Sequence, residues 1–260
     1  MNTPFRTHRL VTLMVLWTLA WAGVASPPTP PEPLYTERPG TPDGMGKWFL
    51  GREIAHYMTH HGAPWLERPE REQEERPRLL LDALGLKPGQ AVADVGAGSG
   101  YLTWRLAERV GPSGRVYATD IQPEMIAILR TNMSARKLTQ VVPVLSTPED
   151  PHLPTNALDL IILVDVYHEC EFPYEMARGM TAALKPGGRL VLVEYRGEDQ
   201  WVPIKRLHKM TEAQVRREMA LHDLEWVSTG RELPRQHILI FRRKAGESPI
   251  QPTVAPKQAP

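Results

Sequence analysis

Short apolar runs alternate with amphipathic stretches along most of the chain. Apolar runs of strand length occupy 91–95, 114–120, 141–145, 158–165 and 189–195. Between them apolar residues recur at helical spacing, which predicts helices that pack by one face. These helices are expected at 77–85, 101–110, 123–137 and 174–185, with another after an N-cap at Thr211 and two closing strands at 224–229 and 237–241. The alternation predicts an α/β fold in which helices cover both faces of a mainly parallel sheet.

A glycine-rich turn joins the first of these strands to the following helix. It reads Asp94-Val95-Gly96-Ala97-Gly98-Ser99-Gly100. Glycine tolerates positive φ and lets a ligand approach the backbone where a Cβ would collide. A strand, a glycine turn and a helix N-terminus in this order form a cofactor site in doubly wound sheets. The dinucleotide fingerprint G-x-G-x-x-G would need a glycine where the chain has Tyr101. An NAD(P)-dependent oxidoreductase is therefore disfavoured and remains the first alternative.

Three further stretches follow in a characteristic order. A strand ends at Asp120 and is followed by Pro123 and Met125, an apolar strand ends at Asp165, and Leu-Lys-Pro-Gly-Gly at 184–188 precedes the strand at 189–195. Together with the G-x-G-x-G turn they resemble the class I S-adenosylmethionine (SAM)-dependent methyltransferases over 76–244. The resemblance implies a Rossmann-like, doubly wound, seven-stranded, mostly parallel sheet with strand order 3-2-1-4-5-7-6. It also implies SAM as the cofactor.

The resemblance also implies roles for individual residues. Gly96, Gly98 and Gly100 would lie along the methionine part of SAM. Asp94 would hold the turn and the cofactor's amino group, and Asp120 would accept hydrogen bonds from the ribose. Ile121 and Asp165 are also expected among the cofactor-binding residues. Glu149 is the residue that we expect at the adenine. Asp150 is nearly as good a candidate, and an exposed loop is an equal alternative for both.

The sequence Asp165-Val166-Tyr167-His168-Glu169 follows the fourth strand, whose tip in related enzymes lies beside the transferred methyl group. A histidine with a carboxylate neighbour is chemically suited to remove a proton from an acceptor. We therefore predict His168 as a general base, supported by Glu169 and Asp165. The alternative is that His168 and Glu169 only shape the loop or cap the next helix.

Acceptor recognition is expected from the segment at 47–75, where 48–65 reads as a lid helix with aromatic contacts. The predicted acceptor contacts are Tyr57, Trp65, Tyr167 and Tyr195. His56, His60 and His61 stand at spacings that place two of them on one side of a helix. No carboxylate or further histidine completes a ligand set nearby. The sequence therefore predicts no metal site.

The composition limits which partners and which kinds of site the protein is expected to have. The chain has 31 basic and 30 acidic residues, which gives no electrostatic reason to expect a nucleic acid. Its one cysteine, Cys170, excludes an internal disulfide framework and a cysteine-rich zinc site.

The expected function is methyl transfer from SAM to a small-molecule or lipid-like acceptor. A non-catalytic SAM-binding protein is the second alternative.

The ends of the chain differ from its middle. Residues 1–25 combine Arg6 and Arg9 with an apolar stretch, which is typical of a signal peptide or membrane anchor. Residues 26–46 are predicted as a proline-rich linker, and 245–260 as a disordered tail. We expect an exported, periplasmic or membrane-attached protein. If translation starts at Met45, the protein would be cytoplasmic. The sequence indicates no oligomeric state.

Overall fold

A computed structural model of the protein describes residues 34–245. The predicted signal peptide or anchor, the start of the predicted linker and nearly all of the predicted C-terminal tail lie outside these residues. Within 34–245 none of the helices combines the length and the apolar character needed to cross a bilayer.

The main sheet has seven strands. They are β4 (Ala91–Val95), β5 (Arg115–Asp120), β6 (Val141–Leu145), β7 (Leu158–Val164), β8 (Leu184–Tyr195), β9 (Leu224–Gly230) and β10 (Gln236–Arg243). Their order across the sheet is β6-β5-β4-β7-β8-β10-β9. Strand β10 runs antiparallel to both β8 and β9, and the other neighbours are parallel. Numbered from β4, this is 3-2-1-4-5-7-6, so the expected fold class and strand order are confirmed.

Five helices cover the two faces of this sheet. They are α3 (Pro77–Leu84), α4 (Thr103–Val110), α5 (Pro123–Ala135), α6 (Pro173–Ala183) and α7 (Glu212–Met219). Successive residues of a strand point to opposite faces, so Val92 packs with α3, α4 and α5, whereas Ala93 packs with α6 and α7. The predicted N-cap is confirmed, because the Thr211 hydroxyl accepts a hydrogen bond from the backbone N–H of Gln214 at 3.1 Å.

The segment before this domain differs from the prediction. A three-stranded antiparallel sheet of β1 (Tyr35–Glu37), β2 (Gly44–Phe49) and β3 (Arg52–Ala55) precedes the short helices α1 (Ala63–Leu66) and α2 (Arg71–Glu74). The lid helix expected at 48–65 is therefore wrong, and β1 lies inside the predicted linker. The cause is a tight turn at Leu50 and Gly51, whose φ values of 46° and 85° suit a two-residue hairpin loop.

Candidate active site

The glycine turn between β4 and α4 leaves no room for side chains. Gly96 has a φ of 72°, and a Cβ there would lie 2.5 Å from the side chain of Val166. Gly98 has a φ of 54°, and a Cβ there would lie 2.6 Å from Leu66 in α1. Any larger residue would be strained by its backbone and would collide with a neighbour. The turn thus brings backbone N–H groups to the carboxyl ends of the strands, with α1 packed over them.

Two buried carboxylates hold this turn. Asp94 accepts a hydrogen bond from the Thr103 hydroxyl at 2.6 Å. Burial raises the pKa of Asp94 to about 6, although that hydrogen bond acts in the opposite direction. Asp120 accepts from the backbone N–H of Gly98 at 3.0 Å and from that of Gln122 at 2.9 Å. Burial also raises the pKa of Asp120. Strands β4 and β5 therefore each place one carboxylate beside the turn.

One cavity of about 980 Å³ opens over the turn and the strand ends. It brings together most of the predicted site residues: Asp94, Gly96, Gly98, Asp120, Ile121, Asp165, His168, Glu169, Tyr57, Trp65 and Tyr195. The predicted cofactor-binding and acceptor-binding residues thus share one space.

Three predicted site residues do not line this cavity. Gly100 packs against Leu129, 2.5 Å from where its Cβ would lie. Glu149 is exposed, and Ser146, Thr147 and Pro148 line the cavity in its place. Tyr167 is fully buried under the guanidinium of Arg52, 5.8 Å from its ring centroid. The acceptor contact predicted for Tyr167 is therefore wrong, because its ring belongs to the core.

His168 is fixed by a residue that the sequence did not single out. Its Nδ1 lies 2.5 Å from the carboxylate of Glu194, which is fully buried on β8. The second oxygen of Glu194 accepts the backbone N–H of Tyr167 at 2.9 Å. The imidazole and the turn that carries it are thus anchored to the neighbouring strand.

The other side of the His168 ring faces His208 and Glu169, and we call these three residues the His168 cluster. His168 Nε2 lies 3.1 Å from His208 Nδ1 and 3.7 Å from Glu169 Oε1. His208 Nδ1 lies 3.2 Å from the same Glu169 oxygen. Glu169 Oε2 accepts the backbone N–H of Met58 at 3.4 Å. His208, 40 residues beyond His168, was missed because only the fold brings it here.

The charges in this cluster argue against one predicted role. Burial alone lowers the pKa of His168, but the carboxylates of Glu194 and Glu169 outweigh it and raise the pKa to about 10. Burial raises the pKa of Glu169, and its hydrogen bonds with His168 and His208 more than offset this and lower it. An imidazole that is already protonated at neutral pH cannot take up a proton. The electrostatics therefore do not support His168 as the general base.

Tyr195 and the end of β8 meet a buried ionic network. The Tyr195 hydroxyl donates to Glu75 at 3.1 Å, and Arg68 and Arg71 pair with the same carboxylate at 2.7 and 2.6 Å. Arg71 also lines the cavity. The i, i+4 spacing of Arg71 and Glu75 was the available signal in the sequence. This network ties the N-terminal segment to the main sheet.

Asp165 has an unusual environment. Its backbone is left-handed, with a φ of 54°, and its Oδ2 accepts from the side-chain amide of Gln236 at 2.6 Å. Its Oδ1 is buried and has no hydrogen-bond partner among the described residues. Burial, Glu75 and Glu194 together raise the pKa of Asp165 well above its ordinary value. A buried acceptor atom with no partner at a cavity wall indicates a place for a polar ligand group.

Gln122 connects the cofactor side of the cavity to the segment above it. Its side-chain amide donates to the carbonyl of Met58 at 3.0 Å and accepts from the backbone N–H of His60 at 2.8 Å. Met58 and His60 both line the cavity. The segment at 58–60 is therefore held across the cavity by a side chain that follows Asp120.

Comparison with known proteins gives a consistent assignment. A family model described as a methyltransferase domain matches residues 86–238. The ubiquinone/menaquinone biosynthesis C-methyltransferase UbiE of Ectopseudomonas mendocina is 30% identical over 119 residues, which are 45% of this chain and 46% of that protein. The same enzyme of Vibrio cholerae (strain O395) is 31% identical over the same shares. The matched part thus spans about half the length of these relatives.

A solved structure extends the likeness to the fold. The structure of a SAM dependent methyltransferase from Aquifex aeolicus superimposes with a TM-score of 0.68 at 23% identity. The match covers 72% of this chain and 100% of that chain.

Proposed function

Because the chain belongs to the class I SAM-dependent methyltransferases, we propose that it methylates a small hydroxylated ring compound of the quinol type. Methyl transfer from SAM is the activity of the family, and the acceptor is our proposal. The observation that carries it is that the glycine turn and the His168 cluster line one cavity.

The cavity residues fit SAM. SAM supplies a methyl group on a positively charged sulfonium and also carries a cationic amino group and two ribose hydroxyls. We infer that Asp120 accepts hydrogen bonds from the ribose, and that Asp94 and Oδ1 of Asp165 face the cationic part. Ile121 and the stretch at 146–148 offer walls for the adenine. The observation that supports this fit is that Oδ1 of Asp165 has no hydrogen-bond partner within residues 34–245.

The remaining wall suits a flat, mostly apolar acceptor. A volume of about 980 Å³ lies at the upper end of the usual range for small-molecule sites, roughly 300–1,000 Å³, so a second molecule fits beside the cofactor. Tyr57 and Trp65 are 43% and 46% exposed and line this space. Aromatic side chains favour stacking on flat rings. The polar atoms of Glu169 and His208 would then meet a hydroxyl at the edge of the ring.

The relatives support the same class of acceptor. They are named for ubiquinone and menaquinone biosynthesis, and quinols are flat rings that carry hydroxyl groups and an apolar chain. In this arrangement the main contribution of the protein is to hold the acceptor in line with the methyl group of SAM. Glu169 and His208 orient it through its hydroxyl oxygen.

Transfer of isotope-labelled methyl tests the proposal. The protein is incubated with labelled SAM and a reduced short-chain naphthoquinol, and the product is identified by mass spectrometry. The matched control is the same ring with both hydroxyls blocked as methyl ethers. We expect label on the quinol and none on the blocked compound. Transfer to neither, with SAM binding intact by calorimetry, would reject the quinol class.

A further inference from the structure

We propose that the His168 cluster binds one divalent transition-metal ion, with Zn²⁺ as the best fit. Within the part of the chain that the structure describes, it is the only group of three histidine, cysteine or acidic side chains whose ligand atoms converge. The ligand atoms would be His168 Nε2, His208 Nδ1 and Glu169 Oε1, and the ion would displace the proton that His168 Nε2 carries in the metal-free protein. Two imidazoles and a carboxylate are ligands that zinc prefers.

The spacing of these atoms matches a tetrahedral ion. Ligands at bonds of about 2.0–2.1 Å in a tetrahedron lie about 3.3 Å apart. The three separations here are 3.1, 3.2 and 3.7 Å. Mg²⁺ and Ca²⁺ take oxygen ligands from carboxylates, carbonyls and water instead, so the two nitrogens favour a transition metal.

Hydrogen bonding alone accounts poorly for the same geometry. His208 Nδ1 lies within hydrogen-bond distance of both the ring nitrogen of His168 and the oxygen of Glu169. If Nδ1 carries a proton, it can donate to Glu169 but then faces the proton on His168 Nε2. If Nδ1 carries none, it can accept from His168 but then faces the carboxylate oxygen with no proton between them. A single cation between the three atoms would satisfy all of them together.

The residues behind the ligands are arranged as at known metal centres. A histidine ligand usually donates its other ring N–H to a carboxylate, which fixes the ring and its tautomer. Glu194 fills that role for His168, at 2.5 Å from Nδ1. Glu169 is oriented likewise, because its other oxygen accepts the backbone N–H of Met58. Two of the three ligands thus have a defined support.

The site is open on one side. All three ligand residues line the cavity, and zinc sites with three protein ligands keep a fourth position for water or substrate. In a role that rests on the proposed function, a hydroxyl oxygen of the acceptor would take this position and lose its proton more easily. Metal binding itself does not depend on which acceptor is used.

Calorimetry on metal-depleted, full-length protein tests the site with Zn²⁺ alone, without SAM or acceptor. We expect one equivalent to bind. His208→Asn should weaken binding at least about 100-fold, and Glu194→Gln by about 10–100-fold, as for other residues behind a metal ligand. His152→Asn is the matched control, because His152 has a left-handed backbone that asparagine tolerates and lies outside the cavity. It should bind Zn²⁺ like the wild type.

Titration with Co²⁺ gives an independent readout. We expect the intense visible absorption of a four-coordinate cobalt centre in the wild type and its loss in His208→Asn. Circular dichroism and SAM binding show that the variants are folded. No Zn²⁺ binding by the folded wild type, or equal binding by folded His208→Asn, would overturn the proposal. Because no acceptor is present, these results are separate from success or failure of methyl transfer to a quinol.

Discussion

The carboxylate of Glu194 lies 2.5 Å from Nδ1 of His168, although the two residues are 26 positions apart in the chain. Glu194 is fully buried on β8, and His168 follows the neighbouring strand β7. Parallel strands bring their carboxyl ends to one edge of the sheet, so a residue near the end of one strand can meet a residue that follows the adjacent strand. This contact fixes the position of the turn that carries His168 and Glu169.

Removal of Glu194 should destabilise the protein strongly. Glu194→Ala leaves the His168 ring and the Tyr167 N–H buried without their partner, and breaking a buried pair in this way costs about 3–5 kcal/mol. Glu194→Gln retains an acceptor and should cost less. Urea unfolding measures both. Glu225→Ala, at a half-exposed pair with Arg242, should change the free energy of unfolding by less than about 1 kcal/mol. Equal losses at both positions would contradict this account.

Asp120→Ala should weaken SAM binding by about 1.5–3 kcal/mol, since it removes charge-assisted hydrogen bonds to the ribose. Calorimetric titration with SAM measures the change. Asp159→Ala is the control. Asp159 also accepts a backbone N–H, that of Ala91, but it lies near the start of β7, at the opposite edge of the sheet. An unchanged dissociation constant in Asp120→Ala would remove the ribose assignment.

Replacement of Trp65 should weaken acceptor binding without affecting SAM binding. Trp65→Ala removes an exposed ring of the cavity wall, and we expect about a tenfold rise in the acceptor KM, the scale of one lost aromatic contact, with little change in SAM affinity. Trp201→Ala removes a tryptophan that is 84% exposed and outside the cavity, and it should leave the steady-state constants unchanged. Similar KM values in both variants would exclude Trp65 from acceptor binding.

Asp165 should make stability depend on pH. Its pKa is higher in the folded than in the unfolded protein, so the folded state holds the proton more tightly. The free energy of unfolding therefore falls as pH rises above the unfolded pKa of about 4. Asp165→Asn cannot ionise, and its stability relative to the wild type should increase from pH 5 to pH 8. Urea unfolding without SAM at both pH values, with the exposed Asp82→Asn as the control, measures this difference. A constant difference would show that Asp165 does not titrate abnormally.

The main domain could be predicted because its signals are local. The apolar runs at 91–95 and 141–145 coincide with β4 and β6 residue by residue, since buried parallel strands are continuously apolar. The glycine turn could also be predicted, because its positive φ values require glycine and the glycines are visible in the sequence. The strand order came from the resemblance to the methyltransferases, whose motifs follow the same strands.

The rest could not be predicted because it depends on distant contacts. The turn at Leu50 and Gly51 is short and the strands beside it mix glycine with charged residues, so no periodicity marked β2 and β3. Tyr35 pairs with Glu175, 140 residues away, which holds β1 where composition indicated a linker. His208 is the last residue of a short 3-10 helix (Arg206–His208), and nothing in the local sequence shows that it reaches His168. The predicted absence of a metal site considered the spacing of His56, His60 and His61 and the single Cys170, and it did not consider residues that only the fold brings together.

The contact made by Gln122 has a thermodynamic consequence. The backbone N–H of Gln122 donates a hydrogen bond to Asp120. The side chain of Gln122 is hydrogen-bonded to the backbone of Met58 and His60. A ligand held at Asp120 therefore acts on the same residue that fastens the segment at 58–60. Two equilibria that share an element are linked, and their coupling free energy is reciprocal. By whatever factor SAM lowers the opening equilibrium of this segment, as measured by amide hydrogen exchange, SAM must bind the protein with the segment closed more tightly than with it open by the same factor.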